Sequence, residues 1–538
     1  MEKSVKKSFV KGAVILGVAG LLCKIIGALF RIPLRNMMGV EGMNYYSTVY
    51  PYYSALLVVS SAGLPTAISK LVAERVTLHD YAGAKRVFHK SMALLAVIGL
   101  VTTALMFFGA DFLAAVTNCP GAEPSFRALA PALFFVSVMC AYRGYLQGLQ
   151  QMTGTALSQL MEQVGKLVIG LLLVKLLLPY GYDVAAMGAL LGITASEILA
   201  LLVIMAFYFV NQRRHPELRL AASAGLGGGR TDRTIRAILS IAVPVTIGAS
   251  IMPLTGIVDT LMIKNIMLAT GFSRAYADMC FAIFRTDVST VINMPAVLTV
   301  ALAMSLVPAI SEACTRQDRR AMQRVSKLGL KLALIVGLPC AVGLYVLGGQ
   351  VISFLFDVTP EELAIGTALM QSSAIGIIFL SLVQTMTGCI QGYGRPVIPV
   401  LNLAAGAIVK IVVMAVLMYD PAINIQGASI STVACYAVAG ILDLIYLIRV
   451  TGMRLELWDC FGKPLAASLA MGATVYFGGA FLRNHLPETV ATLGSVAVGV
   501  VIYAALAVAL KLFSEEELRF IPGGNRLRRL LYRGGKRK

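Results

Sequence analysis

A chain of 538 residues with 58% hydrophobic content and a mean hydropathy of +0.80 is too apolar for a water-soluble domain, for which about half apolar is the norm. Only 14% of the residues are charged, yet 46 Lys and Arg stand against 27 Asp and Glu; in so apolar a chain that excess belongs to basic connections at a membrane face, not to nucleic-acid binding. The nine cysteines are scattered singly and the four histidines (His79, His89, His215, His485) fall in hydrophilic stretches, so no residue set calls for a metal or cofactor, and the enzyme classes that need a buried general base lose their candidates.

A helix needs about 20 apolar residues to cross the hydrocarbon core with its backbone satisfied. The chain predicts about fourteen such segments, at 10–34, 44–68, 88–110, 127–149, 156–179, 184–209, 236–263, 281–310, 325–348, 363–387, 397–419, 424–448, 461–482 and 490–512. The fold class expected is an all-α polytopic membrane protein. The first segment follows Lys3, Lys6, Lys7 and Lys11 like a signal peptide, but no small-residue cleavage site follows and Lys24 and Arg31 interrupt it, so it reads as a retained span.

Alternate connections are basic: the N-terminus, the second (Lys70, Arg75, Lys85, Arg86, Lys90), the sixth (Arg213, Arg214, Arg219, Arg230, Arg233, Arg236) and the eighth (Arg316, Arg319, Arg320, Arg324, Lys327). The intervening ones hold Arg35, Arg127, Lys264, Arg274 and Arg483 beside acids such as Asp111, Glu123, Asp357, Glu361, Glu362 and Asp420. The positive-inside rule then puts both termini in the cytoplasm. The tail, 514–538, opens on a Ser514/Glu517 capping pattern and ends in a run of Arg and Lys suited to anionic phospholipid.

The segment from Gln147-Gly148 to Lys166 recurs from Gln391-Gly392 to Lys410, with Gln, Gly and Lys in register. Ser47-Thr48-Val49 and Ala67-Ile68-Ser69 recur as Ser289-Thr290-Val291 and Ala309-Ile310-Ser311 at nearly the same offset. Spans one to six thus repeat as seven to twelve with the same orientation, a parallel pseudo-repeat of two six-helix lobes. The expected organisation is an N-lobe at 1–210, a basic, Gly-rich cytoplasmic linker at 211–236, a C-lobe at 237–449, two added helices at 450–513 and the tail.

Charges inside spans carry the functional reading, since each costs roughly 2.5 to 3.5 kcal/mol at the centre of a membrane helix. Lys24 and Arg31, seven residues apart, share one helical face and should look onto water or an anion; snorkelling is the alternative, easier for Arg31 than for mid-span Lys24. Glu162 and Lys166 have the spacing and order of a same-face ion pair. Lys410 takes the place of Lys166 in the second lobe, with Gly406 where the acid stood. Arg143, Asp259, Arg285 and Asp287 lie near predicted span ends, suited to gating or to snorkelling, whereas Glu197 and Asp443 lie in spans six and twelve without a local partner, as coupling candidates. Pro33, Pro244, Pro253 and Pro295 offer bends.

Three stretches, Lys24-Ile25-Ile26-Gly27-Ala28-Leu29-Phe30-Arg31-Ile32-Pro33-Leu34, Gly63-Leu64-Pro65-Thr66-Ala67-Ile68-Ser69-Lys70, and Asn293-Met294-Pro295 through Ser305-Leu306-Val307-Pro308-Ala309-Ile310-Ser311-Glu312, resemble the MurJ and SpoVB branch of the multidrug/oligosaccharidyl-lipid/polysaccharide exporter superfamily. The resemblance runs over essentially the whole chain. It implies a monomeric flippase, not an enzyme, for undecaprenyl-pyrophosphate-linked sugars, foremost lipid II, with a cationic cavity. In that picture Lys24, Arg31, Lys166, Arg285 and Lys410 would meet the pyrophosphate. Lys70 at the end of span two and Lys24 ahead of Arg31 fit the Gram-positive, SpoVB-like pattern. A flippase for another surface polysaccharide and a cation-coupled multidrug antiporter are the alternatives; the antiporter would want carboxylates in its site, and span one has none.

Overall fold

The computed structural model describes residues 2–214 and 231–512. The basic tail at 514–538 and most of the linker at 211–236 lie outside the described residues. Contacts divide the chain into two compact units, Met1–Thr286 and Asp287–Lys538.

In the first unit α1 (Glu2–Ser61) is followed by α2 (Gly63–Thr77), α3 (Tyr81–Phe108), α4 (Ala110–Val116) and α5 (Glu123–Gly148). Then come α6 (Met152–Gly165), a π-helical turn (Lys166–Gly170), α7 (Leu171–Leu177), α8 (Tyr182–Arg214), α9 (Thr231–Ala269) and α10 (Arg274–Ala282). A second π-helical turn, Ile283–Val288, runs across the boundary. At 1.5 Å per residue the 60 residues of α1 reach roughly 90 Å, enough for two crossings of a core about 30 Å thick. Its one interior departure from helical dihedrals is Gly39 (φ 64°), not Pro33, because only glycine enters that region without a Cβ clash.

The second unit holds α11 (Ser289–Thr315), α12 (Arg319–Leu355), α13 (Pro360–Ala374), α14 (Gly376–Gly392), α15 (Val397–Met418) and α16 (Gln426–Thr451). The π-helical turn Trp458–Gly462, α17 (Lys463–His485) and α18 (Glu488–Ala509) complete it. Side-chain caps start several of these helices: Asp318 accepts from the Ala321 amide ahead of α12, and Thr359 and Glu362 form a capping box on α13. Gly452, left-handed at φ 66°, ends α16.

Among the described residues eleven helices are long and apolar enough to cross a membrane, or twelve if the α13–α14 pair, bent by 44°, is one span. The expectation of about fourteen differs at definable places. Helix α1 counts once although its length suffices for two crossings, and the stretch 152–177 is cut by the π-helical turn into pieces of 14 and 7 residues, each too short to cross alone.

The contact boundary also falls later than the linker read from the sequence. Ile238 and Ala242 of α9 are buried among Leu64 and Ile68 of α2, Phe88 of α3 and Tyr145 of α5, which ties α9 to the first unit. A second apolar core in that unit gathers Leu34, Met38, Tyr46 and Tyr53 of α1 with Phe126 and Leu133 of α5 and Ala189 of α8.

The internal repeat has a packing origin within each unit. A Cβ on Gly148 would sit 2.7 Å from Val72 Cβ and 2.9 Å from the Ser69 carbonyl; one on Gly392 would sit 2.9 Å from Ile310 Cβ and 3.0 Å from the Val307 carbonyl. The recurring Gln-Gly thus marks where one helix meets the backbone of the helix carrying the recurring Ala-Ile-Ser.

Candidate functional site

Helix α1 presents the first cations. Lys24 is exposed, and seven residues on, about 10 Å along the axis, Arg31 lies over the Tyr50 ring at 5.9 Å. Arg31 also lines a small cavity of about 20 Å³ with Tyr46, Ser47, Tyr50, Arg285 and Thr286. Arg285 comes from the π-helical turn Ile283–Val288, where the widened winding alters the direction of successive side chains. It donates to Asp259 Oδ2 at 3.3 Å, and the hydroxyls of Ser47 and Thr286 join the same walls at 3.1 Å. The site thus brings two guanidiniums together, one of them paired with a carboxylate. Arg285 and Asp259, read from the sequence as lying near span ends, form an ion pair here, with Asp259 buried.

A second cluster in the same unit joins four residues. Glu162 accepts from Lys166 Nζ at 2.8 Å and from Arg143 Nη2 at 3.2 Å; Lys166 also pairs with Glu197 Oε1 at 3.3 Å, and Arg143 reaches Ser158 Oγ at 2.9 Å. The expected Glu162–Lys166 spacing gives the pair its first leg. Glu197 has a partner after all, supplied by another helix: α6 and α8 approach so closely that a Cβ on Gly165 would meet Ser196 Cβ at 2.8 Å. Arg143 is largely buried in this network. Two cations and two carboxylates make the cluster formally neutral, so Lys166 is held between acids and is not presented as a free charge. Glu197 Oε2 is buried without a hydrogen-bond partner.

In the second unit Asp443 of α16, also expected without a local partner, accepts from Asn402 Nδ2 at 2.7 Å and faces Thr387 Oγ1 at 3.5 Å. Thr387 and Asn402 stand at the same spacing of 244 residues from Arg143 and Ser158 that separates Lys410 from Lys166. The repeat therefore carries a buried polar cluster in each unit, ionic in the first and amide-based in the second. Lys410 (4% exposed, on α15) and Asp287 (in the π-helical turn) are both buried.

The sequence reading missed Arg35 and Lys264. Both were assigned to connections, yet each is only 1% exposed. Lys264 pairs with Asp278 at 2.9 Å, donates to Thr48 Oγ1 at 3.2 Å and lies 4.9 Å from the centre of the Phe281 ring. Lys331, 1% exposed on α12 and bound to Asp459 at 2.8 Å, was missed as well: it lies inside the predicted span 325–348, and its partner, in the turn Trp458–Gly462, is brought to it only by tertiary packing.

The architecture defines the class: a polytopic helical membrane protein with the fold of solved transporters. It matches an inward-facing multidrug resistance MATE family transporter of the MOP superfamily (TM-score 0.69, 15% identity, 82% of this chain and 98% of that one). It also matches the lipid II flippase MurJ in an inward closed conformation (TM-score 0.67, 14% identity, 92% and 98%). The chain belongs to the polysaccharide biosynthesis protein family, whose model matches residues 9–314; a MatE model matches residues 244–416. Stage V sporulation protein B of Bacillus subtilis (strain 168) is 25% identical over 523 residues, 96% of this chain and 98% of the relative. The lipid II flippase MurJ of the same organism is 24% identical over 463 residues, 82% and 83%. The resemblance carried by the motifs at 24–34, 63–70 and 293–312 is borne out.

Proposed function

We propose that this protein is a flippase that moves an anionic, lipid-linked oligosaccharide precursor, foremost lipid II, from the inner to the outer leaflet of a bacterial plasma membrane. The observation that carries the reading is the convergence of Arg31 and Arg285 on one cavity, with Lys24 exposed on α1. Guanidiniums bind phosphate oxygens in a bidentate fashion, and a cation inside a membrane helix is retained only against a strong compensating partner. A cavity of about 20 Å³ admits a single water, so a headgroup needs it opened. Opening to one face and then the other is alternating access, with lobes at 1–210 and 237–449 and the basic connections and both termini cytoplasmic. Single-chain operation and attachment of the basic tail to anionic phospholipid belong to the same reading.

The relatives named for lipid II flipping and for sporulation support this cargo class and leave other surface polysaccharides as the nearest alternative. A coupled-antiporter reading has one observation behind it, the unpartnered Glu197 Oε2, which would hold a proton or small cation. The test is replacement: deplete the resident lipid II flippase of a bacterium, express this chain, and measure growth and surface-exposed lipid II. Restoration of both is expected; a well-inserted protein that restores neither points to another polysaccharide.

A further inference from the structure

We propose that the second unit carries a separate binding site for a resident membrane glycolipid, its uncharged sugar headgroup in a polar cavity among α12, α13, α17 and α18 and its acyl chain in an adjoining apolar groove. The polar cavity measures about 400 Å³, within the range of small-molecule sites. Gln350, Ser353, Gln371, Thr492 and Glu488 line it, with Tyr476 on one wall. None of its lining residues is Lys, Arg or His, so a phosphate headgroup would meet a carboxylate and no countercharge.

What the lining offers is a mixture of amide, hydroxyl and carboxylate groups that both donate and accept, the match for vicinal sugar hydroxyls. Tyr476, 60% exposed, adds a flat apolar face. Ser353 Oγ already donates to Glu488 Oε1 at 2.9 Å, which fixes the carboxylate at the rim. Thr492, only 3% exposed, is buried in this wall, and its hydroxyl has no hydrogen-bond partner.

The second cavity, also about 400 Å³, is walled by Val342, Ile375, Leu469 and Gly472 and shares Val346 and Tyr476 with the first. Its residues lie one to three turns deeper into α12 and α17 than Gln350, Ser353 and Gly479. Polar at the helix ends and apolar further in, the joined cavities repeat the polarity profile of a lipid. They sit at the end of α12 remote from Arg319, Arg320 and Arg324, the outer leaflet in the proposed orientation. The inference is independent of the α1 cations and goes beyond the transport reading.

The test uses the full chain in lipid nanodiscs with a diglucosyl-diacylglycerol bearing a photoactivatable acyl chain, against phosphatidylglycerol bearing the same chain. The expected result is labelling of the α12 and α17 segments that is severalfold stronger with the glycolipid and falls severalfold in Gln371→Leu. Glu488 is exposed, so Glu488→Lys leaves folding intact; it should turn the preference toward phosphatidylglycerol. Equal labelling by both lipids, labelling elsewhere only, or an unchanged preference in Glu488→Lys overturns the proposal. Displacement of the probe by added lipid-linked precursor overturns it too, because the site would then belong to the cargo.

Discussion

Lys24 contributes little to packing, being exposed on α1, and its charge has a purpose only if an anion comes to it. Lys24→Ala is therefore expected to insert and unfold like the wild type while headgroup binding weakens roughly tenfold, about 1.4 kcal/mol, as read by titration of a lipid-linked pyrophosphate into the reconstituted protein. Full affinity in the variant would remove Lys24 from the site. The neutral cluster makes an opposite kind of prediction. Glu162 holds two cations and Glu197 one, so Glu162→Gln should lower stability more than Glu197→Gln, by up to about 3 to 5 kcal/mol for a buried pair broken on one side. Thermal unfolding of the solubilised variants decides; equal midpoints would show that the cluster is not load-sharing in this way. Lys410, 4% exposed, should likewise tolerate alanine less well than Lys175, which is exposed on α7 and free to snorkel; equal transport by the two variants would count against a role for Lys410.

Helices meet through residues whose meaning is invisible in one helix alone. The Glu162–Lys166 pair was legible because both members lie on one face four residues apart, and Gly148 and Gly392 were legible as a repeat. The partners of Glu197 and Asp443 were not, because they come from helices whose register depends on tertiary packing and, for Lys166, on a π-helical turn that periodicity does not announce. Arg35 and Lys264 were misplaced because hydropathy locates a span to within several residues, and a cation at that margin reads equally as loop or as buried ion pair. The glycine contacts give the test at this scale. Gly148→Ala and Gly392→Ala force a Cβ into the neighbouring helix and should each cost about 1 to 3 kcal/mol. Gly20→Ala, interior to α1 and with nothing within 4 Å of the new atom, should leave the unfolding midpoint unchanged or raise it slightly through the better helix propensity of alanine. A silent Gly148→Ala and Gly392→Ala would mean that the repeat does not mark the helix contact.

A cargo bearing about two negative charges on its pyrophosphate is driven outward by an inside-negative potential at roughly 2.3 kcal/mol per charge per 100 mV. The cavity cations move only a little relative to the field if the protein rocks, so most of the cargo's charge should count, and export should slow when an ionophore collapses the potential with the pH gradient left in place. Unchanged export, with loss on removing a proton or sodium gradient, would instead give Glu197 or Asp443 the leading part. All of this depends on one claim, that cations of the first unit carry a pyrophosphate-linked lipid across the bilayer. The most direct measurement is transfer of lipid II between leaflets of liposomes containing the purified protein, compared with a variant in which Lys24, Arg31 and Arg285 are all replaced by Gln. The account predicts transfer by the wild type and its loss in the variant at equal insertion; equal transfer by both, or none by a correctly inserted wild type, would contradict it.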